Sequence, residues 1–354
     1  MEPRLFFTRL MDWFSQSRRL DPWSVHGNSY ASYAVWISEI MLQQTTVSVV
    51  QPYFEAWMAR FPALSDVAKA NEEEVLRMWE GLGYYSRARH IRKTAQLLHS
   101  RQARDLPRSY DELCKLPGIG DNTARAILSL AYGKKMPVLD ANVRKIFMRL
   151  FLWKEWSKKN EKETDRLIRE GMSEYSPREV NEALMQLGQL VCVRKNARCH
   201  LCPVISFCEA FRLEKQSHYP PPRAQKISLK KTMLFIPAFQ GRIWLEKREK
   251  GIGKGMWSFR SLPEDKGTEM LNAVQENPCI TLIPLSRRIH TYTRYRDELI
   301  PYLLSGEETY LLRSMGEPAL IPLSMEEADL LPYLAPYRKI IEEIKTLLKS
   351  GITL

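Results

Sequence analysis

Hydrophobic positions follow two different periods along the chain. Over residues 30 to 190 they recur at helical spacing in runs such as "VSVVQPYFEAWMARF", "NEEEVLRMWEGL" and "SRARHIRKTAQLLHS", which predict amphipathic helices. The breaks between the runs, "FPALSD", "GLGY", "DLPRSYDEL" and "LPGIGDNT", carry turn chemistry. Beyond the proline-rich, charged stretch "EKQSHYPPPRAQK" the period shortens. There "TMLFIPAF" and "RIWLEKRE" flank Gln240 and Gly241 as two strands around a tight turn, and "RRIHTYTRYRDELIPYLL" is rich in β-branched and aromatic residues. The tail "YLAPYRKIIEEIKTLLKS" returns to helical spacing. The pattern predicts a mainly α first part, a linker, and a smaller α+β second part, with no internal repeat.

One helical stretch departs from amphipathicity. In "WISEIMLQQT" the residues Val35, Trp36, Ile37, Ile40, Met41 and Leu42 project right around the helix, and a single carboxylate, Glu39, stands among them. A buried carboxylate is costly unless it is paired, protonated or set beside a ligand. The window admits two readings: an exposed edge or structural ion pair, and an acid held for chemistry.

Composition narrows the class. The 354 residues suffice for two domains, and 44% hydrophobic residues is a globular composition. Lys and Arg outnumber Asp and Glu by 53 to 41, a net charge of +12, which favours a polyanionic partner, nucleic acid first. No apolar run approaches a membrane span and "MEPRLFFTRLMDWF" has no signal-peptide core, so a soluble, cytoplasmic protein is expected. Of six cysteines, Cys192, Cys199, Cys202 and Cys208 fall within 17 residues, which in such a compartment points to a metal site before disulfides.

Three short motifs carry candidate chemistry. "LPGIG" places Gly118, Ile119 and Gly120 between two helices, where a tight turn can present amides to a phosphate; an ordinary helical corner is the alternative. In "VLDANVRKIFMRL" Asp140 precedes a helix and suits an N-cap, a role compatible with staying ionised beside a cation. The C-x6-C-x2-C-x5-C spacing offers four thiolates for a [4Fe-4S] cluster or a structural zinc.

Together "WISEIMLQQT", "WEGLGYYSRAR", "LPGIG", "VLDANV", "NEALMQLGQLVC" and the cysteine loop occur in an order and spacing that resembles the helix-hairpin-helix base-excision glycosylases with an iron-sulfur cluster. Within that superfamily the match is to adenine DNA glycosylases of the MutY type, over roughly residues 20 to 210. The resemblance implies two helical subdomains in a catalytic region 1–212 with a cluster loop at 192–208, a linker at 213–226, and a Nudix-like 8-oxoguanine recognition domain at 227–354. It implies hydrolysis of the N-glycosidic bond of adenine mispaired with 8-oxoguanine or guanine in duplex DNA, with the base flipped out and the strand left uncut. By resemblance Glu39 protonates the departing adenine and later handles water, Asp140 stabilises the sugar cation, and Asn142 supports the site. Such chemistry needs one carboxyl kept as acid and one as anion, so the pKa of Glu39 is expected to rise and that of Asp140 to fall. Trp23, Leu42 and Glu182 match positions around the adenine pocket, and Gln43 and Tyr84 match residues that wedge into the DNA stack. Gly118, Ile119 and Gly120 would meet the DNA backbone, and Cys192, Cys199, Cys202 and Cys208 would hold one [4Fe-4S] cluster per chain. The expected partner is mismatched duplex DNA, not a membrane, for a monomer near the nucleoid of a bacterium.

Two rival readings share the fold. An endonuclease III type glycosylase and lyase acting on oxidised pyrimidines needs a nucleophilic Lys just after the hairpin, where this chain has Asn122. A non-catalytic helix-hairpin-helix DNA-binding protein has no use for Glu39 together with Asp140. In the second domain "GMWSFRSLP" resembles the Nudix-like Gly-x-Trp-x-Phe, but "EDKGTEMLNAVQENP" lacks the Glu-rich metal helix, so no nucleoside-diphosphate hydrolysis is expected. The lesion-sensing Phe-Ser-His of the family stands here as Tyr292, Thr293 and Arg294. Thr293 keeps a hydroxyl for the lesion, whereas Arg294 puts a permanent cation where the family has an imidazole. Likewise the usual Leu-Pro-Trp-Arg appears as "LDPWS", so Ser24 removes a cation from the pocket rim.

Overall fold

In the computed structural model, which describes residues 2–19, 22–23, 31–221, 227–292, 295–314 and 320–350, the helical period resolves into short, well-delimited helices. They are α1 (Pro3–Ser17), α2 (Ala31–Leu42), α3 (Val47–Arg60), α4 (Leu64–Lys69), α5 (Glu72–Met78), α6 (Ser86–Ser100), α7 (Tyr110–Cys114), α8 (Asp121–Ala126), α9 (Ala141–Leu150), α10 (Lys158–Glu174), α11 (Pro177–Leu190) and α12 (Glu209–Arg212). Capping residues set several starts. Asn71 accepts from the Glu74 amide at 2.8 Å, with Glu72, Glu73 and Glu74 in the first turn of α5 where the helix dipole favours anions. Ser157 caps α10 through the Asn160 amide, and Asp140 caps α9 through the Val143 amide at 2.8 Å. α8 runs on into a π turn over Ile127–Ala131.

The chain divides into two compact units, Met1–Lys69 with Lys93–Arg223, and Ala70–Arg92 with Ala224–Leu354. In the first, Phe6, Phe7 and Leu10 of α1, Val143, Ile146 and Phe147 of α9, and Leu184 and Leu187 of α11 bury one another. This core anchors the start of α9, which carries Asp140.

The second unit contains α5 and a mixed sheet: β1 (Ser228–Phe239), β2 (Arg242–Lys247), β3 (Trp257–Ser258), β4 (Arg260–Pro263), β5 (Ile280–Pro284), β6 (Arg288–Thr291), β7 (Tyr295–Gly306) and β8 (Ile321–Ser324). Its helices are α13 (Glu264–Gln275), α14 (Glu308–Ser314), α15 (Met325–Asp329) and α16 (Ala335–Lys349). β1 lies parallel to β7 from Ser228 against Tyr295 to Ala238 against Ser305, and antiparallel to β4 and then β2 along its other edge. The β1–β2 turn has left-handed Gln240 (φ 49°) and Gly241 (φ 72°), as a two-residue hairpin requires. Met233 to Ala238 are buried without alternation, the pattern of a strand covered on both faces. No helix among the described residues is long and apolar enough to cross a membrane.

Candidate active site

α2 delivers Glu39 into a cavity of the first unit. The lining combines apolar Phe14, Trp23, Val35, Leu42, Leu130 and Met185 with polar Arg19, Ser38, Arg178, Glu182, Gln186 and Gln189. The residues surrounding Glu39 on α2 are core: Val35, Trp36, Ile37, Ile40 and Met41 are each at most 3% exposed. Among the described residues nothing donates a hydrogen bond to its carboxyl. Burial, and then the negative charges of Asp140 and Glu182, push its pKa up to about 8. A protonated acid therefore faces the cavity at neutral pH.

Asp140 sits at the start of α9 and is held by donors. The Val143 amide reaches Oδ1 at 2.8 Å, and Asn142 Nδ2 reaches Oδ2 at 2.9 Å. The depressed pKa expected of it is not found. Burial outweighs these hydrogen bonds and the Lys145 charge, and the carboxyl lies above its usual range. The helix start supplies the donors, but the core that fixes the helix start also strips the water.

Asn142 is itself fixed: its Oδ1 accepts from Lys145 Nζ at 3.2 Å, and the same ammonium donates to Gly188 O at 2.8 Å. A Cβ on Gly188 would lie 2.5 Å from Asn142 Cβ, so only glycine lets α11 approach here. The extended approach to Asp140 is clamped from both sides. Asn122 Oδ1 accepts from the Leu139 amide at 3.2 Å, and fully buried Asn181 accepts from the Val138 amide at 2.9 Å while donating to Ser129 Oγ and Met136 O. Gly188 and Asn181 were not legible as site residues; Asn181 stands beside Glu182 in the quoted motif, yet nothing in the motif tells a clamp from a surface amide.

Of the other expected residues, Trp23, Leu42 and Glu182 line the same cavity as Glu39. Trp23 packs edge-on against Phe54, centroids 5.4 Å apart. Glu182 is bracketed by Arg18 and Arg178, each at 2.8 Å, so its carboxylate fixes two guanidinium groups, of which that of Arg178 lines the cavity. Gln43 is exposed at the end of α2, and its Nε2 lies 3.4 Å from Thr123 Oγ1, one turn into the helix that follows the hairpin. In the hairpin, Gly118 has φ 78°. Ile119 is buried and spends its amide on Leu116 O, so it anchors the turn rather than facing outward. Gly120 is extended, and a Cβ there would meet open space. Tyr84 belongs to the second unit, is 45% exposed and has φ 48°. Ser24, Thr293 and Arg294 lie outside the described residues.

The four clustered cysteines are free thiols, and Cys192, Cys202 and Cys208 pack against the first unit's core. Burial pushes Cys202 up to about 12, and Cys192, Cys208 and Cys199 act on it electrostatically. Arg149, 2% exposed, donates to Cys192 Sγ at 3.2 Å and to Val193 O at 2.8 Å. A buried cation beside thiols suits a loop that holds thiolates. Among the described residues no three His, Cys, Asp or Glu are grouped so as to hold a metal ion.

An acid lining a cavity, a capped carboxylate near it and a helical hairpin define a class. Residues 37–174 match the family model "HhH-GPD superfamily base excision DNA repair protein". In fold the chain is similar to a thermostable thymine-DNA glycosylase (TM-score 0.53, 23% identity, 60% of this chain and 97% of that one) and to an endonuclease III solved with DNA (TM-score 0.50, 22%, 60% and 98%). In sequence it is 33% identical over 310 residues to the adenine DNA glycosylase of Buchnera aphidicola subsp. Schizaphis graminum, covering 85% of this chain and 88% of that protein. It is 36% identical over 226 residues to the human adenine DNA glycosylase, 59% of this chain and 40% of that one. The chain belongs to the adenine DNA glycosylases of this superfamily.

Proposed function

We propose that this chain is a monofunctional DNA glycosylase that hydrolyses the N-glycosidic bond of adenine mispaired with 8-oxoguanine or guanine in duplex DNA. The observation that carries the reading is Glu39: a carboxyl to which no described residue donates a hydrogen bond, lining a cavity, with its pKa at about 8. Such a group protonates a base that leaves as a poor anion. With the flipped adenine in the cavity, Trp23 and Leu42 offer apolar faces to the ring, and Glu182, Arg178 and Gln186 offer polar partners to its edge. As the sugar gains positive charge, Asp140 supplies the opposing carboxylate, oriented by Asn142 and the Val143 amide. Glu39, having lost its proton, then accepts one from the attacking water.

The clamp on the Leu139 amide gives Asn122 a positioning role where a lyase would carry its amine nucleophile, and an amide forms no Schiff base. Gly118, Gly120 and the buried anchor Ile119 serve the DNA backbone, while Gln43 and Tyr84 enter the stack. The carboxyl-terminal sheet serves as a Nudix-like reader of 8-oxoguanine through Tyr292, Thr293 and Arg294. Cys192, Cys199, Cys202 and Cys208 would hold one [4Fe-4S] cluster, with the Arg149 cation beside Cys192 offsetting its negative charge; four thiolates also suit a structural zinc, and the iron content decides between them. No step of the hydrolysis is assigned to the cluster.

The direct test incubates the protein with duplexes carrying adenine opposite 8-oxoguanine, adenine opposite guanine, or thymine glycol, with and without alkali, and measures iron. Adenine release from the first two, strand cleavage only after alkali, and about four irons per chain are expected. Cleavage without alkali, or release from thymine glycol alone, would establish the lyase instead.

A further inference from the structure

The segment carrying Tyr84 holds an aromatic residue in a left-handed backbone pose. Gly81, Gly83 and Tyr84 all have positive φ (101°, 70° and 48°), the last uncommon for an aromatic residue and a frequent mark of functional loops. From within, Trp79 Nε1 and Arg87 Nη2 both donate to Gly83 O at 3.1 Å, and the Arg87 guanidinium lies over the Trp79 and Tyr84 rings. These contacts shape the loop from within.

A second hold comes from the carboxyl-terminal part of the same unit. Glu80, immediately before the loop, is gripped fork to fork by Arg338 of α16, Nε to Oε1 at 2.7 Å and Nη2 to Oε2 at 3.0 Å. The Tyr333 amide adds a third donor at 3.2 Å. Both side chains are largely buried, 14% and 17% exposed. Arg338 is fixed in turn by the Tyr333 ring beneath it and by Leu331 O and Asp329 O. Four residues before the loop, Arg77 donates to Asp329 O, and at the start of α5 Glu73 accepts from Lys247 Nζ and Trp257 Nε1 at 2.8 and 3.0 Å. A bidentate pair is directional, so it transmits orientation as well as proximity.

We propose that the Glu80–Arg338 pair is a positioning device through which the carboxyl-terminal fold sets the pose of the Tyr84 loop, and thereby the preference for adenine opposite 8-oxoguanine over adenine opposite guanine. This rests on the reading of Tyr84 as a DNA wedge in an adenine glycosylase. Neither Glu80 nor Arg338 touches the reacting atoms, so the expected signature is selective. Single-turnover adenine release is measured on both duplexes for the full-length wild type, Glu80→Gln and Arg338→Met, each alone and combined with Tyr84→Ala, with melting temperatures in parallel. Glu80→Gln is nearly isosteric and guards against misfolding of Arg338→Met.

Each single variant is expected to lower the ratio of the two rates about tenfold, with the guanine duplex changed less than about twofold. In the Tyr84→Ala background the same substitutions should change the ratio less than about twofold, because the group they position is gone. An unchanged ratio, an equal loss on both duplexes, or the same loss with and without Tyr84 each overturns the device. A wild type that releases no adenine from either duplex overturns the functional reading with it, whereas a discriminating wild type whose ratio ignores Glu80 overturns the device alone.

Discussion

Glu39 on α2 and Glu80 in the turn after α5 are both sequestered carboxyls, and their surroundings send them to opposite ends. Glu80 has a guanidinium fork and a backbone amide on its oxygens, so its charge is answered and it serves architecture. Glu39 has apolar neighbours and two further acids, so the uncharged form is favoured. Glu182 lies between the extremes, lining the cavity with Glu39 yet paired with Arg18 and Arg178. Proximity to other groups does not separate the roles; the sign of the neighbouring charge and the presence of donors do.

The strongest way to break this contrast is Glu39→Gln. It should lower single-turnover adenine release by about a thousandfold or more while duplex binding by gel shift stays within a few fold, since general acid catalysis of this kind contributes roughly 10²–10⁴. Normal turnover in that variant would remove Glu39 from the chemistry. A subtler perturbation is Gly188→Ala, whose new methyl must displace Asn142 and with it a donor to Asp140. A loss of about tenfold in rate is expected, with a fall of a few degrees in melting temperature from the crowded α9–α11 contact; an unaltered rate would mean that α9 yields without disturbing the carboxylate.

The smallest effect concerns stability. Between about 4.5, the ordinary value, and about 8 the folded chain keeps a proton on Glu39 that the unfolded chain has lost. The folded state binds more protons in that window, so this group's contribution to stability falls as pH rises through it. Glu39→Gln lacks the penalty. Its melting temperature should exceed that of the wild type by a few degrees above pH 8 and match it near about pH 5. A difference independent of pH would show that Glu39 titrates normally and sharpen the contrast with Glu80 into one of packing alone.

Much of the architecture was readable before any coordinates, because periodicity reports what a segment must bury. The helical runs, the Gln240-Gly241 hairpin, the strands around Ile289 and Leu299 and the terminal helix all emerge where the pattern places them. The crowding of apolar residues around Glu39 was legible for the same reason. The fate of Asp140 was not. Its cap was visible in sequence order, but the balance of donors against lost water depends on how deeply α9 is set into the core formed by α1 and α11. Ile119 differs likewise: the spacing of the hairpin offered its amide to a ligand, and the turn takes that amide for Leu116.

Local sequence therefore determined which segments are helix or strand, where turns fall, which thiols stand within one loop and which acid sits in an apolar helix, since each depends on neighbours a few residues away. Tertiary structure alone decided that Asn122 and Asn181, 59 positions apart in the chain, clamp adjacent amides before Asp140, and that Gly188 makes room for Asn142. It also decided that Ala70–Arg92 joins the carboxyl-terminal unit through Glu80 and Arg338. Hydrogen bonds and steric fit act over a few ångströms of space whatever the separation in sequence, and no periodicity records them.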